Sequence, residues 1–173
     1  MFSSSHVVSV NYFNASHLDA SAAVKLVWEE PGSDHLRKYF SDRGGFHITS
    51  LCLEESLGAL KRKWLKGELS DEQYYGCCSL LLAYLRSPPR IHLDEIHLSS
   101  LDTFSKAEEI ARRHKLDLSD SLQLVSVKHG KFSRLVHQSK TVLITADRAL
   151  ASAAKAEGLR VWNCVDEAIP PSK

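Results

Sequence analysis

Four acidic residues stand where a predicted strand gives way to a helix or where a helix begins. Asp19 ends SHLDAS, Glu55 lies in the first turns of the helix after FHITS, Asp120 opens the helix of LDLSDSLQL, and Asp147 follows TVLITA. Helix capping and the helix dipole explain any one of them, because an acid there stabilises a helix by about 0.3 to 1 kcal/mol. The four together also permit a chemical interpretation.

Carboxylates that converge on one edge of a sheet repel each other, so their pKa values rise or they recruit a cation. A hard divalent cation such as Mg²⁺ or Mn²⁺ prefers oxygen ligands and keeps several waters. Such a site can hold a phosphate and activate a water that attacks it. The four acids therefore predict metal-dependent hydrolysis of phosphodiester bonds.

The elements that must position these acids alternate along the chain. Apolar, β-branched runs predict strands at 12–18, 46–50, 141–145 and 159–163, and the stretch 90–98 is predicted as a strand and its exit. Helical periodicity predicts helices at 20–30, 33–42, 53 to Gly67, Ser70 to the prolines at 88–89, 104–114, 119–128 and 148–157. This alternation predicts an α/β fold with a parallel sheet and helices on both faces. Ligands of such sheets bind outside the carboxyl ends of the strands, where the acids belong.

Composition and length are those of one ordinary globular domain. The chain has 173 residues, of which 43% are hydrophobic and 25% charged, with a formal net charge of +1 that neither indicates nor excludes a polyanionic partner. We expect a single domain over 1–173, with an N-terminal extension at 1–11 and a C-terminal tail at 170–173. The N-terminus lacks the features of a signal peptide, no apolar run approaches the ~20 residues of a membrane span, and the four cysteines form no CxxC pair. These features predict a cytoplasmic protein with reduced thiols and no membrane partner.

Five stretches follow one another along the chain: YFNASHLDASAAVKLVWEEPGS, ITSLCLEESLGALKRK, LKGELSDEQ, LDLSDSLQLVSVK and TVLITADRALASAAKAEGLRVWN. Together they resemble the successive motifs of PIN-domain proteins, particularly the VapC-like toxins of prokaryotic toxin–antitoxin pairs. The resemblance extends from about residue 12 to residue 163, with the motifs in the same order and at similar spacing. It implies a three-layer α/β/α fold and an endoribonuclease that depends on Mg²⁺ or Mn²⁺.

The resemblance also implies roles for individual residues. The family's LDAS motif puts its first acid at Asp19, and its serine-then-glutamate helix puts the second at Glu55. Its D-A-L-x-L pattern puts the third at Asp120, and its T-x-D-R motif puts the fourth at Asp147, with Thr145 as a hydroxyl that helps to hold metal or water. In this scheme the three aspartates bind one or two metal ions. The glutamate binds metal through water, or orients and deprotonates the attacking water.

Three departures from the family pattern leave alternatives open. Ser121 follows the third acid where the family usually has alanine. Glu54 precedes Glu55 directly, and only the register of the apolar residues in that helix favours the latter. Asp117 is an alternative to Asp120, although we expect its side chain to point away from Asp120 around the helix.

The same resemblance implies RNA as the substrate, a protein antitoxin as a partner, and a homodimer. In the resembled toxins, helices in the part of the chain around Tyr74, Tyr75 and 80–85 contribute to homodimer and antitoxin contacts. Core packing is the alternative use of these apolar residues, and an exposed remainder would mark a partner surface.

Basic residues cluster at 61–66, 112–115 and 128–134. Solvated helix faces are the ordinary interpretation of such clusters. The alternative is that some of them line a groove for the RNA backbone and add affinity that depends on salt.

Other chemistries have little support in the sequence. The nine histidines have no HExxH or CxxC companion, and neither a glycine-rich nucleotide loop nor a GxSxG motif occurs. Two alternatives to a ribonuclease stay open: a PIN-fold module that binds RNA or protein without cutting, and a metal-dependent phosphatase or DNA nuclease with a similar acidic cluster.

Overall fold

A five-stranded parallel sheet forms the centre of the protein. The computed structural model describes residues 15–86, 88–134 and 141–170. The strands are β1 (Ser16–Leu18), β2 (Phe46–Thr49), β3 (Ile91–Asp94), β4 (Val142–Thr145) and β5 (Arg160–Asn163). They pair in the order β3-β2-β1-β4-β5. Because parallel strands cannot be joined by tight turns, helices connect each strand to the next.

The described ranges contain seven α-helices, which cover both faces of the sheet. They are α1 (Ala20–Val27), α2 (Ser33–Asp42), α3 (Ser50–Leu65), α4 (Asp71–Ala83), α5 (Leu101–His114), α6 (Leu118–His129) and α7 (Arg148–Ala156). A short 3-10 helix, Phe132–Arg134, follows α6.

The two layers of helices pack on alternate residues of the strands. Leu18 and Ile144 belong to a buried cluster with α1, α2, α3 and α4. Leu143, the neighbour of Ile144 in β4, belongs to a second cluster with α5, α6 and α7. Successive side chains of a strand point to opposite faces, so one buried strand supplies both cores. The predicted three-layer α/β/α architecture is confirmed.

Two predicted helices end earlier than the sequence indicated. The helix predicted to reach residue 30 ends at Val27, because the Ser33 hydroxyl donates to the Trp28 carbonyl at 3.0 Å and accepts from the Glu30 N–H at 2.9 Å. The helix predicted to reach the prolines at 88–89 ends at Ala83. There the N–H groups of residues 90 and 91 donate to the carbonyl of residue 84, so the chain turns back towards β3.

Other boundaries differ by a few residues. Helix α5 begins at Leu101 rather than 104, because the Ser100 hydroxyl caps it. Strand β3 ends at Asp94, inside the stretch 90–98 that was predicted as a strand and its exit. The predicted N-terminal extension, the start of the first predicted strand and residues 171–173 of the tail lie outside the described residues.

All four cysteines, Cys52, Cys77, Cys78 and Cys164, are free thiols. Within the part of the chain that the structure describes, no helix combines the length and the apolar character needed to cross a bilayer.

Candidate active site

The sheet reverses its direction of growth between β1 and β4. From β1 the chain adds β2 and β3 on one side, and it then crosses to add β4 and β5 on the other. A crevice opens at the carboxyl ends of the strands at such a switch point. Asp19 directly follows β1, Thr145 ends β4, and Asp147 lies two residues beyond it. The topology therefore brings three of the predicted site residues to this crevice.

Asp19 is buried and held by hydroxyl groups. Only 4% of the residue's surface is exposed. Its Oδ2 accepts hydrogen bonds from Ser21 Oγ at 2.5 Å and from Thr145 Oγ1 at 2.8 Å. It also caps α1 by accepting from the Ser21 N–H. A buried carboxylate needs such donors, because without them its desolvation would be costly. The capping and chemical interpretations of Asp19 are thus compatible.

The two hydroxyls that hold Asp19 also hold the loop after β4. Thr145 Oγ1 accepts from the Asp147 N–H at 2.9 Å, and Ser21 Oγ accepts from the Ala146 N–H at 2.8 Å. Each hydroxyl therefore links the Asp19 carboxylate to the backbone of the neighbouring strand exit. Ser21 was not among the predicted site residues, although a hydroxyl two residues after a helix-capping acid is a signal that could have indicated it.

Asp147 is exposed and caps α7. Its Oδ1 accepts a hydrogen bond from the Leu150 N–H at 2.9 Å. Its Oδ2 has no hydrogen-bond donor among the described residues, so this oxygen is available to a ligand.

Asp120 lies at the third position of α6 and is half-buried. Burial raises the pKa of its carboxyl to about 7, and like charges from other elements add to the shift. Those charges belong to Asp117, Asp19, Asp147 and Glu55. The structure therefore brings the four predicted acids close enough to repel one another.

The prediction that Asp117 points away from the site is wrong. Asp117 is the N-cap of α6, its Oδ1 accepts from the Asp120 N–H at 2.8 Å, and it lines the same groove as Asp120. A residue three positions earlier on a helix lies only about 60° around it, because each residue turns the helix by about 100°. Asp117 thus adds a carboxylate to the four that were predicted for the site.

Glu55 is the better oriented of the two adjacent glutamates of α3. The Ser119 hydroxyl donates a hydrogen bond to Oε1 of Glu55, whereas Glu54 is exposed. Burial raises the pKa of Glu55, and the charges of Asp19, Asp117 and Glu54 raise it further. Ser119 was predicted only as a helix start. Its place directly before Asp120 in the sequence gave no indication that it would reach across to α3.

A groove of about 480 Å³ joins these acids to a set of basic residues. Its acidic lining consists of Asp19, Glu55, Asp120 and Asp147 together with Glu30, Glu54 and Asp117. Its basic lining consists of Lys25, Arg62 and Lys63. The groove therefore has carboxylates and cations in one continuous space.

The donor set of the groove suits a hard divalent cation. The charged and polar lining offers carboxylate oxygens and contains no histidine or cysteine, which favours Mg²⁺ or Mn²⁺ over zinc. Among the described residues, no three Asp, Glu, His or Cys side chains stand in a ready-made metal-binding arrangement. Asp19, Asp120 and Asp147, with Glu55 beside them, are the residues that would hold the ion.

The predicted basic clusters divide into two kinds. In the cluster at 112–115, Arg113 and His114 both contact Glu157, and Lys128 of the third cluster contacts it too. These ion pairs hold α5, α6 and α7 together. In the cluster at 61–66, by contrast, Arg62 and Lys63 line the groove.

The predicted partner region on α4 is partly exposed. Tyr75 is 63% exposed and Leu80 is 42% exposed, while Cys77 and Leu81 on the same helix are buried. Leu65, at the end of the neighbouring α3, is 69% exposed. An apolar remainder therefore exists on this side of the molecule.

No protein-family model matches the chain, and no curated protein matches it. Among solved structures, the chain is similar to the crystal structure of PAE2754 from Pyrobaculum aerophilum. The two are 20% identical, the match covers 88% of this chain and 89% of that one, and the TM-score is 0.53. This similarity supports the α/β/α fold over nearly the whole chain and carries no information on activity.

Proposed function

We propose that the protein is a metal-dependent endoribonuclease that hydrolyses RNA phosphodiester bonds. The observation that supports this most strongly is the environment of Asp120: burial raises its pKa to about 7, and the like charges of Asp117, Asp19, Asp147 and Glu55 raise it further. Three of these neighbours, Asp19, Asp147 and Glu55, come from elements other than α6, so no single helix cap accounts for the cluster. Clustered, mutually repelling carboxylates cost stability, and catalytic sites are where proteins retain such groups.

Each residue has a role that follows from its contacts. Asp19, Asp120 and Asp147 would hold Mg²⁺ or Mn²⁺, and the hydroxyls of Thr145 and Ser21 fix the orientation of Asp19. A bound divalent cation offsets negative charge on the phosphate and makes a nearby water more acidic.

Glu55, oriented by Ser119, takes the proton from the attacking water. The raised pKa of Glu55 favours this role, because a carboxylate whose pKa is nearer to neutral is a stronger proton acceptor.

The proposal extends to the biological setting that the PIN and VapC resemblance implies. The protein acts in the cytoplasm as the toxin of a toxin–antitoxin pair, forms a homodimer, and is inhibited by a protein antitoxin. The exposed Tyr75 and Leu80 on α4 and Leu65 on the neighbouring α3 support partner contacts in this region, because burying exposed apolar side chains favours protein association.

A second candidate is a module of the same fold that binds RNA or protein without cutting. It is favoured by one observation, that the acids of the described residues do not form a ready-made metal-binding arrangement. The two candidates differ in whether the acids bind a divalent cation and the protein cleaves RNA.

The test is cleavage of a pool of structured RNAs by the purified protein with Mn²⁺, with Mg²⁺ and with EDTA. Variants Asp19→Asn and Asp120→Asn remove a charge with little change of shape, and Asp102→Asn is the matched control in the first turn of α5. We expect cleavage that requires the metal, is lost in the first two variants and persists in the control.

Folded wild-type protein that cuts no RNA with either metal would refute the ribonuclease and favour the binding module. Single-stranded DNA and a small phosphate ester serve as parallel substrates. Preference for either of them over RNA would favour a DNA nuclease or a phosphatase instead.

A further inference from the structure

The basic end of the groove is mostly neutralised by acids of its own. Lys25 Nζ lies 2.8 Å from Glu30 Oε2, and Lys63 Nζ lies 2.7 Å from Glu30 Oε1. Lys63 also pairs with Glu68 at 3.3 Å. Two lysines thus face two carboxylates, and their charges balance. These ion pairs form one wall of the groove, and they leave little net positive charge there to bind an anionic ligand.

Arg62 is the exception on this wall. It is exposed, lines the groove, and has no ion-pair partner among the residues that the structure describes. A guanidinium group presents a planar fork of donors that matches the oxygens of a phosphate. Arg62 therefore offers an uncompensated positive charge of the shape that phosphate binding requires.

The Arg62 side chain leans towards the acids. Glu55 and Arg62 are seven residues apart on α3, so they share one stripe of the helix about 10 Å apart along its axis. Gly58 lies between them, and a Cβ placed there would be 3.4 Å from Nη1 of Arg62. The guanidinium group therefore lies back over Gly58, in the direction that helical side chains take. It stands about one helical turn from Glu55.

We propose that Arg62 binds a backbone phosphate next to the scissile one, so that the groove takes a polynucleotide strand rather than a small phosphate ester. The statement that the phosphate at the acids is the one that is cleaved rests on the proposed function. The statement that Arg62 binds a backbone phosphate does not. A single small anion at the acids has no second phosphate for Arg62. A strand with regularly repeated phosphates reaches both ends of the groove at once. Arg62 is in this scheme a positioning residue.

Binding is measured first, without cleavage, by fluorescence anisotropy of a labelled single-stranded RNA in EDTA. We expect Arg62→Ala to weaken binding about tenfold, the loss of one charge-assisted hydrogen-bonded contact. We also expect the slope of log affinity against log salt to fall by about 0.7, the value for one phosphate contact on a single strand. DNA of the same sequence should show the same two changes, because the contact is to the backbone.

The matched control is Arg112→Ala. Arg112 is an exposed arginine on α5, on the other face of the sheet, and it pairs with Glu108 at 3.0 Å. We expect this variant to bind as the wild type does. An Arg62→Ala protein, shown folded by its thermal melt, that keeps wild-type affinity and salt slope would overturn the proposal.

Kinetics then separate this proposal from the function on which part of it rests. With Mn²⁺, Arg62→Ala should raise KM for an RNA oligonucleotide at unchanged kcat, and should leave hydrolysis of bis(p-nitrophenyl) phosphate unchanged. An equal loss on the small diester would put Arg62 at the scissile phosphate and refute the neighbouring-phosphate assignment. If the wild type hydrolyses neither substrate, the proposed function fails, and the binding experiment still decides the role of Arg62.

Discussion

The hydroxyl of Thr145 donates a 2.8 Å hydrogen bond to Oδ2 of Asp19, which joins residues 126 positions apart at the ends of two neighbouring strands. The same hydroxyl accepts the N–H of Asp147. One buried side chain thus sets the position of two of the proposed metal ligands. The folding of β1 beside β4 and the assembly of the site are therefore the same event.

Replacing Thr145 by valine tests this connection. Valine has nearly the same shape and lacks the hydroxyl, so Asp19 loses a donor in a buried position. We expect the free energy of unfolding to fall by about 1.5 to 3 kcal/mol, the contribution of a hydrogen bond to a charged group. Mn²⁺ affinity should fall as well, by about tenfold. Urea unfolding and calorimetry measure the two effects, and Thr145→Ser, which keeps the hydroxyl, should restore both. Wild-type behaviour of the valine variant would contradict the connection.

The charge on Asp120 should cost stability at neutral and alkaline pH. Its pKa is raised from 3.8 to about 7 in the folded protein, so the folded state holds the proton more tightly than the unfolded state does. Stability therefore decreases as pH rises from about 4 to about 7, and the full cost remains above that range.

Asp120→Asn removes this cost. Allowing for partial exposure, we expect the variant to be more stable than wild type by about 1 to 2 kcal/mol near pH 8 without metal. The gain should disappear near pH 4. Urea unfolding at both pH values in EDTA measures it, and a variant that is less stable than wild type near pH 8 would contradict the account.

The two adjacent glutamates of α3 should differ sharply in function. Glu55 is half-buried and receives the Ser119 hydrogen bond, whereas Glu54 is exposed. We expect Glu55→Gln to lower kcat for RNA cleavage at least a hundredfold, the usual contribution of a general base. Glu54→Gln should change kcat less than about twofold, since surface charge contributes little at this distance from the water. Equal effects of the two variants would show that the assignment of Glu55 is wrong.

Glu157 should contribute strongly to stability without any role in the site. Its side chain is 5% exposed, and the Lys128, His114 and Arg113 contacts lower its pKa to about 2. Because the pKa of Glu157 is lower in the folded protein than its ordinary value of 4.5, its charge stabilises the fold when the pH is above 4.5. This stabilisation is lost as the pH falls towards 2.

We expect Glu157→Gln to lower the free energy of unfolding by about 2 to 3 kcal/mol near pH 7. The difference from wild type should narrow as pH falls from about 4.5 to about 2. The control is Glu108→Gln, whose exposed pair with Arg112 should contribute less than about 0.5 kcal/mol. A pH-independent difference between Glu157→Gln and wild type would contradict the charge-based explanation.

The architecture could be predicted from sequence because strand and helix periodicities differ and their alternation favours a parallel sheet. Asp19 and Asp147 follow predicted strands, whose carboxyl ends lie at one edge of such a sheet, whereas the choice of Glu55 and Asp120 as site residues also rested on the resemblance to PIN-domain proteins. Periodicity carries no information on which strands are neighbours, however. The order β3-β2-β1-β4-β5 and the crevice at its switch point came from the structure.

The supporting residues are harder to predict than the acids because they act across elements. Ser119 reaches Glu55 from a helix 64 positions away, and Ser21 supports a loop 125 positions away. Arg62 differs from Lys63 in having no ion-pair partner among the described residues, and this depends on where Glu30 lies. Hydrogen bonds and ion pairs between distant residues depend on how the helices pack against one another, and a local sequence pattern does not predict this packing.

Calorimetric titration of the metal-free protein with Mn²⁺ near pH 8, where Asp120 is ionised, shows whether these acids form a metal centre. We expect wild type to bind one or two Mn²⁺ ions and Asp120→Asn to bind at least tenfold more weakly. Asp102→Asn, an acid of α5 paired with Lys106, should bind as wild type does. Absence of binding to folded wild-type protein, or equal binding by all three proteins, would contradict a metal centre formed by these acids.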